Sequence, residues 1–110
     1  MDTINYEEFS KVKLRVAEIL SAERVEGSEK LIKLQVSLGN NDTRQVIAGI
    51  GKKYSPEDLI NKRIIIVANL EPRKLMGLES QGMLLAASTE TEGPILLVPD
   101  SEVDPGAEVR

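Results

Sequence analysis

The stretch IKLQVSLGNNDTRQVIAGI (Ile32–Ile50) decides the fold. Ile32, Leu34, Val36 and Leu38 alternate with Lys33, Gln35 and Ser37, a period of two that marks a strand with one buried face. Gly39-Asn40-Asn41-Asp42 follows, four residues suited to a turn because they tolerate positive φ or bond their own backbone. Gln45 to Ile50 then resumes the apolar pattern, so the two segments form a hairpin.

On the N-terminal side, Val12, Leu14 and Val16 alternate with Lys11, Lys13 and Arg15 as an earlier strand. Its pattern shifts phase through Ala17, Ile19 and Leu20, which predicts a bulge or bend. Glu26-Gly27-Ser28 is the turn after it. On the C-terminal side, Ser55-Pro56-Glu57-Asp58 predicts a short helix that starts with a Ser cap and ends near Asn61. Arg63 to Ala68 is a β-branched run, expected to be buried on both faces or nearly so. Met83 to Ala87 is a fifth strand and Ile95 to Val98 a short extra one. Five main strands with a short helix between the third and fourth, plus a C-terminal extension, predict an all-β, five-stranded OB-type barrel. An open α+β sheet is the competing arrangement. No repeat or linker interrupts residues 1–110, so one domain is expected.

Composition narrows the chemistry. The chain has no Cys and no His, which removes disulfides, the thiol nucleophile, the usual neutral-pH base and the commonest metal ligands. Paired acids such as Glu7-Glu8 and Glu57-Asp58 read as surface charge, and Gly49-Ile50-Gly51-Lys52 lacks the spacing of a phosphate loop. No catalytic residue, metal site or cofactor is expected. No apolar run nears the roughly 20 residues that cross a bilayer, and the acidic N-terminus is unlike a signal peptide, so no membrane partner and a cytoplasmic location are expected.

The formal net charge is −4, but it is unevenly distributed. Lys30 to Lys74 holds nine bases against four acids, whereas Glu79 to Arg110 holds one base against seven acids. A basic middle section suits an anionic partner. The connection Asn69 to Met83 is long for a barrel hairpin and chemically unusual. Asn69 and Gln81 offer donors and acceptors for polar edges, and Arg73 and Lys74 can neutralise phosphates. Ser80 and Gly82 are small enough for a sugar–phosphate chain to approach, and Leu75, Met76 and Met83 could pack on a base or sugar. Against this, Pro72 and Gly77 can simply shape a turn while the methionines fill the core. The aromatics, Tyr6, Phe9 and Tyr54, all lie outside the predicted barrel strands, so a stacking platform for single strands is missing and a folded RNA is the better fit.

Phe9-Ser10-Lys11-Val12-Lys13-Leu14-Arg15-Val16-Ala17, Val25 to Leu31, Val46 to Ile50, and Val67 to Leu70 through Ser80-Gln81-Gly82-Met83 together resemble the tRNA-binding domain family. Its members are free-standing dimeric proteins and the C-terminal domain or β subunit of methionyl-tRNA synthetases. The resemblance implies an OB-type barrel, structure-directed and non-catalytic tRNA binding, and a homodimer formed with help from the terminal segments. A methionyl-tRNA synthetase catalytic chain is the further implied partner. The family's basic and polar positions correspond to Lys30, Lys33, Arg44, Asn69, Arg73, Lys74, Ser80, Gln81 and Met83. Lys13 departs from the family pattern, which resembles Lys-Val-Asp-Leu-Arg there. Peptide-binding export chaperones resemble this family in fold and supply the alternative function. Apolar residues in Ile95 to Arg110 beyond the five strands fit either a partner subunit or a fold-back onto the barrel.

Overall fold

The computed structural model describes all residues from Met1 to Arg110. Its main sheet contains β1 (Leu14–Arg24), β2 (Ile32–Ser37), β3 (Thr43–Ala48), β4 (Arg63–Val67), β7 (Met83–Leu84) and β10 (Glu108–Val109). Two small hairpins flank it: β5 (Arg73–Leu75) with β6 (Leu78–Ser80), and β8 (Ala86–Ala87) with β9 (Ile95–Leu96). The order β3-β2-β1-β4-β7 is that of an all-β, OB-like barrel.

The curl comes from β1. Its first half pairs with β4, from Leu14↔Val67 to Glu18↔Arg63, and its second half pairs with β2, from Glu18↔Ser37 to Arg24↔Ile32. The β1–β2 register shifts between Ile19 and Ser21, which is the bulge predicted from the loss of phase near Leu20. An extra residue in one strand bends it and raises its twist, so one long strand can serve two sides of a barrel. Alternation then sorts the side chains. Ile32, Leu34 and Val36 of β2 meet Val46 and Ala48 of β3 and Ile64 and Ile66 of β4 in the core. Ile65 and Val67 are half-buried, so β4 has one fully buried face and a second that is partly covered, where burial of both or nearly so was expected.

The predicted helix between β3 and β4 is a single 3-10 turn, Pro56–Asp58. Ser55 precedes it but makes no side-chain capping bond. Leu59 just after it is fully buried, so the turn's contribution is an apolar plug for the barrel. A helix not expected from the sequence, α1 (Tyr6–Ser10), precedes β1. It has a complete capping box: Glu8 N–H donates to Asn5 Oδ1 at 2.8 Å, and Asn5 N–H donates to Glu8 Oε1 at 3.2 Å.

The predicted fifth strand, Met83 to Ala87, divides. Met83–Leu84 pairs antiparallel with β4, while Ala86–Ala87 leaves the barrel to pair with Ile95–Leu96. The C-terminal segment returns across β1, where Gly106 N–H donates to Val16 O at 2.7 Å and Val16 N–H donates to Ala107 O at 2.9 Å. Gly106 is obligatory there: its φ is +94°, and a Cβ would stand 2.2 Å from Leu38 O.

Candidate nucleic-acid interface

The connection between β4 and β7 is not an open loop. Arg73–Leu75 and Leu78–Ser80 pair as a hairpin, turning through Met76 (φ +50°) and Gly77 (φ +80°). Two consecutive positive φ values match a tight turn whose twist suits its strands. The tip lies over the β1–β2 turn, with the Met76 methyl 3.6 Å from where a Gly27 Cβ would be.

The hairpin closes the barrel. β3 and β7 share no strand ladder, and one backbone bond together with side-chain bonds bridges the gap. Gln81 N–H donates to Gln45 O at 2.7 Å, and Gln45 N–H donates to Gln81 Oε1 at 2.9 Å. Ile47 N–H donates to Ser80 Oγ at 3.0 Å, and that hydroxyl donates to Gly82 O at 2.8 Å. A buried backbone N–H without a partner is costly, so these side chains substitute for the missing strand. Ser80 is fully buried and is therefore not where a backbone could approach. Gly82 is also buried, with φ +136°, and a Cβ on it would stand only 3.0 Å from Val67 O, so its smallness serves the fold. Met83 is half-buried and paired with Val67.

The remaining expected residues form two groups. On the outer face of β2 and β3, Lys33 projects opposite the core-facing Ile32 and Leu34. Its ammonium pairs with Glu23 at 2.6 Å. Beside it Gln35 Nε2 donates to Gln45 Oε1 at 2.9 Å, and Gln45 Nε2 donates to Glu79 O at 2.8 Å. Lys30 lies along the same face because Gly49 has no side chain: a Cβ there would be 2.8 Å from Lys30 Cε. Arg73 and Lys74 are exposed on the hairpin. Lys30, Arg73 and Lys74 take part in none of the six ion pairs, which leaves three unpaired cations around an amide-rich strand surface. The two glutamines are additions to the expected set, and the signal for them was their polar place in an alternating strand.

Arg44 and Asn69 lie elsewhere, at the end of the barrel where β1 begins. Arg44 is opposite the inward-facing Val36, donates to Ala68 O at 2.6 Å and grips Asp42 at 3.1 and 3.3 Å. Asn69 Oδ1 accepts from Lys13 N–H at 2.9 Å, and its Nδ2 donates to Lys11 O at 2.7 Å. Both ends of this amide are engaged by the chain itself, so its place here is to fix the segment before β1.

A family model described as "Putative tRNA binding domain" matches residues 14–108. The chain belongs to the tRNA-binding domain family. The methionine–tRNA ligase of Caldanaerobacter subterraneus subsp. tengcongensis is 59% identical over 109 residues, which is 99% of this chain and 17% of that protein. That of Pyrococcus horikoshii is 49% identical over 110 residues, 100% of this chain and 15% of that protein. The domain thus spans about one sixth of these curated relatives. Among solved structures, the MetRS related protein from Pyrococcus horikoshii superposes with a TM-score of 0.93 at 40% identity, covering 100% of both chains. The chaperone CsaA from Bacillus anthracis str. Ames gives a TM-score of 0.90 at 30% identity, covering 99% of this chain and 100% of that one. No helix of the domain is long and apolar enough to cross a membrane.

Proposed function

We propose that this tRNA-binding domain holds tRNA on the outer face of β2, β3 and the β5–β6 hairpin, without catalysing a reaction. The observation that supports it most directly is the set of cations outside any ion pair, Lys30, Arg73 and Lys74, around Gln35 and Gln45. Lysine and arginine draw in phosphates with little regard for base, and amides can reach sugars and base edges. Folded RNA suits such a face because nothing in it offers an aromatic ring for stacking splayed bases. The domain would work in cytoplasmic translation, as an appendage that raises the local concentration of tRNA at a methionyl-tRNA synthetase or as a separate protein. Neither role needs a nucleophile or a base.

A homodimer completes the proposal. Helix α1 buries none of its residues, and Ile4, Tyr6, Phe9 and Val12 are all exposed. Beside it a groove of about 200 Å³ runs between Tyr6, Phe9 and Val12 on one side and Val109 on the other. A second copy of the same surface would cover these apolar groups in a self-complementary contact. In the C-terminal extension Leu96 is buried in the chain's own core, but Ile95, Leu97 and Val98 stay exposed and could join the seam.

Fluorescence anisotropy with a tRNA and an unstructured RNA of equal length tests the binding, and sedimentation velocity tests the dimer. Tight, salt-sensitive binding of the tRNA alone is expected, with Phe9→Asp giving monomers. Equal binding of both RNAs would overturn recognition by shape. The likeness to CsaA favours a second reading, capture of unfolded polypeptide, which retention of a reduced, unfolded protein at the same salt would support.

A further inference from the structure

The end of the barrel away from the hairpin tip has its own concave surface. A cleft of about 310 Å³ opens among Lys13, Arg15, Asn40, Asp42, Arg44 and Asn69. Three cations face one carboxylate in its walls, and that carboxylate is already bound to Arg44 through Nε and Nη2. Arg15 is partly compensated, at 3.5 Å from Glu108 and 3.3 Å from Gly106 O. Lys13 makes no ion pair, so its ammonium is the free charge of the cleft.

The wall that carries Lys13 is held in place by backbone bonds. Ala68 N–H donates to Lys13 O at 2.8 Å, and Lys13 N–H donates to Asn69 Oδ1. Arg44 is tied to the same residue, Ala68, through its carbonyl. The two cations are therefore fixed to one short piece of chain at the end of β4. A cation whose main chain is already ordered loses less freedom when it captures an anion.

We propose that this cleft is a phosphate subsite, with Lys13 as its contact, and that the phosphate belongs to the backbone of the RNA carried on the β2–β3 face. The idea rests on the tRNA reading above and extends the RNA path round the barrel to its opposite end. Asn69 acts in it as a positioning residue, and Arg15 and Arg44 supply the surrounding positive field.

Salt titrations of tRNA binding by the parent chain and by Lys13→Ala, Lys13→Arg and Lys74→Ala test it. Lys13→Ala should weaken binding several-fold and reduce the slope of log K against log salt by about 1, while its melting temperature stays at the parent's value. Lys13→Arg should restore both. If Lys74→Ala shows those losses and Lys13→Ala shows none, the subsite is overturned and the tRNA reading survives. If neither variant changes, both are overturned. Inorganic phosphate, followed by the amide resonances of Lys13 and Asn69, separates the two sources of the ligand. Saturation by free phosphate, together with unchanged tRNA binding by Lys13→Ala, would make the cleft a free-phosphate site and overturn the RNA assignment.

Discussion

Arg73-Lys74 and Ser80-Gln81-Gly82 belong to opposite sides of one hairpin, and Arg73 directly faces Ser80 across it. Their environments differ sharply. Ser80 has no exposed surface and Gln81 is bonded to β3 at two points, whereas Arg73 and Lys74 stand in solvent and form no ion pair. The contrast teaches that polar residues clustered in sequence can divide between holding the fold and meeting a partner. The inner strand closes the barrel; the outer one presents charge. Substitutions on the two strands should therefore fail in different assays.

The largest effect is expected at Gly82→Ala. An L side chain at φ +136° is strained, and its Cβ would press on Val67 O, so a loss of about 3 kcal/mol is expected in chemical denaturation. A loss below about 1 kcal/mol would mean that the seam is slack. Ser80→Ala leaves Ile47 N–H without its partner in the core and should lower stability by about 2 kcal/mol, with tRNA binding by the folded fraction preserved. Binding lost at full stability would move Ser80 to the other side of the comparison. Lys74→Ala should do the reverse: an unchanged melting curve, and tRNA affinity lower by roughly fivefold, equivalent to about 1 kcal/mol. The smallest effect belongs to Glu23→Gln, which frees Lys33 from its 2.6 Å partner. Exposed pairs contribute about 0–1 kcal/mol, so stability should barely move while tRNA affinity rises by at most about threefold. An affinity that falls instead would place Glu23 itself at the interface.

The strands were legible because alternation is a local signal: Ile32 to Ile50 specifies its own hairpin, and the phase slip at Leu20 marks the bulge. Helix α1 was missed, because apolar periodicity over five residues is too short to announce it and its one local mark is the capping pair Asn5 and Glu8. The barrel seam was not legible either. Nothing in Ser80-Gln81-Gly82 tells which strand its side chains will reach, because Gln45 and Ile47 are more than thirty residues away in sequence. The same limit applies to Asn69, whose amide is engaged by Lys11 and Lys13 across the fold. Charge without a partner is easier to read. Arg73 and Lys74 have no acid at the spacings a hairpin brings together except Glu79, and no ion pair forms there.

Leu14 lies beside Val109, so the chain enters and leaves the barrel at the same edge. A module with its two leads side by side can be spliced into a longer polypeptide, hung from either end, or permuted by joining those leads and reopening a turn, with its strand order intact. For the permutation the β8–β9 connection is the natural cut, since its residues Thr89 to Glu92 are exposed and bonded only to one another. Such a rearranged chain should display the same β2–β3 surface with its points of attachment on a different side, which would turn orientation relative to a neighbouring domain into a design variable.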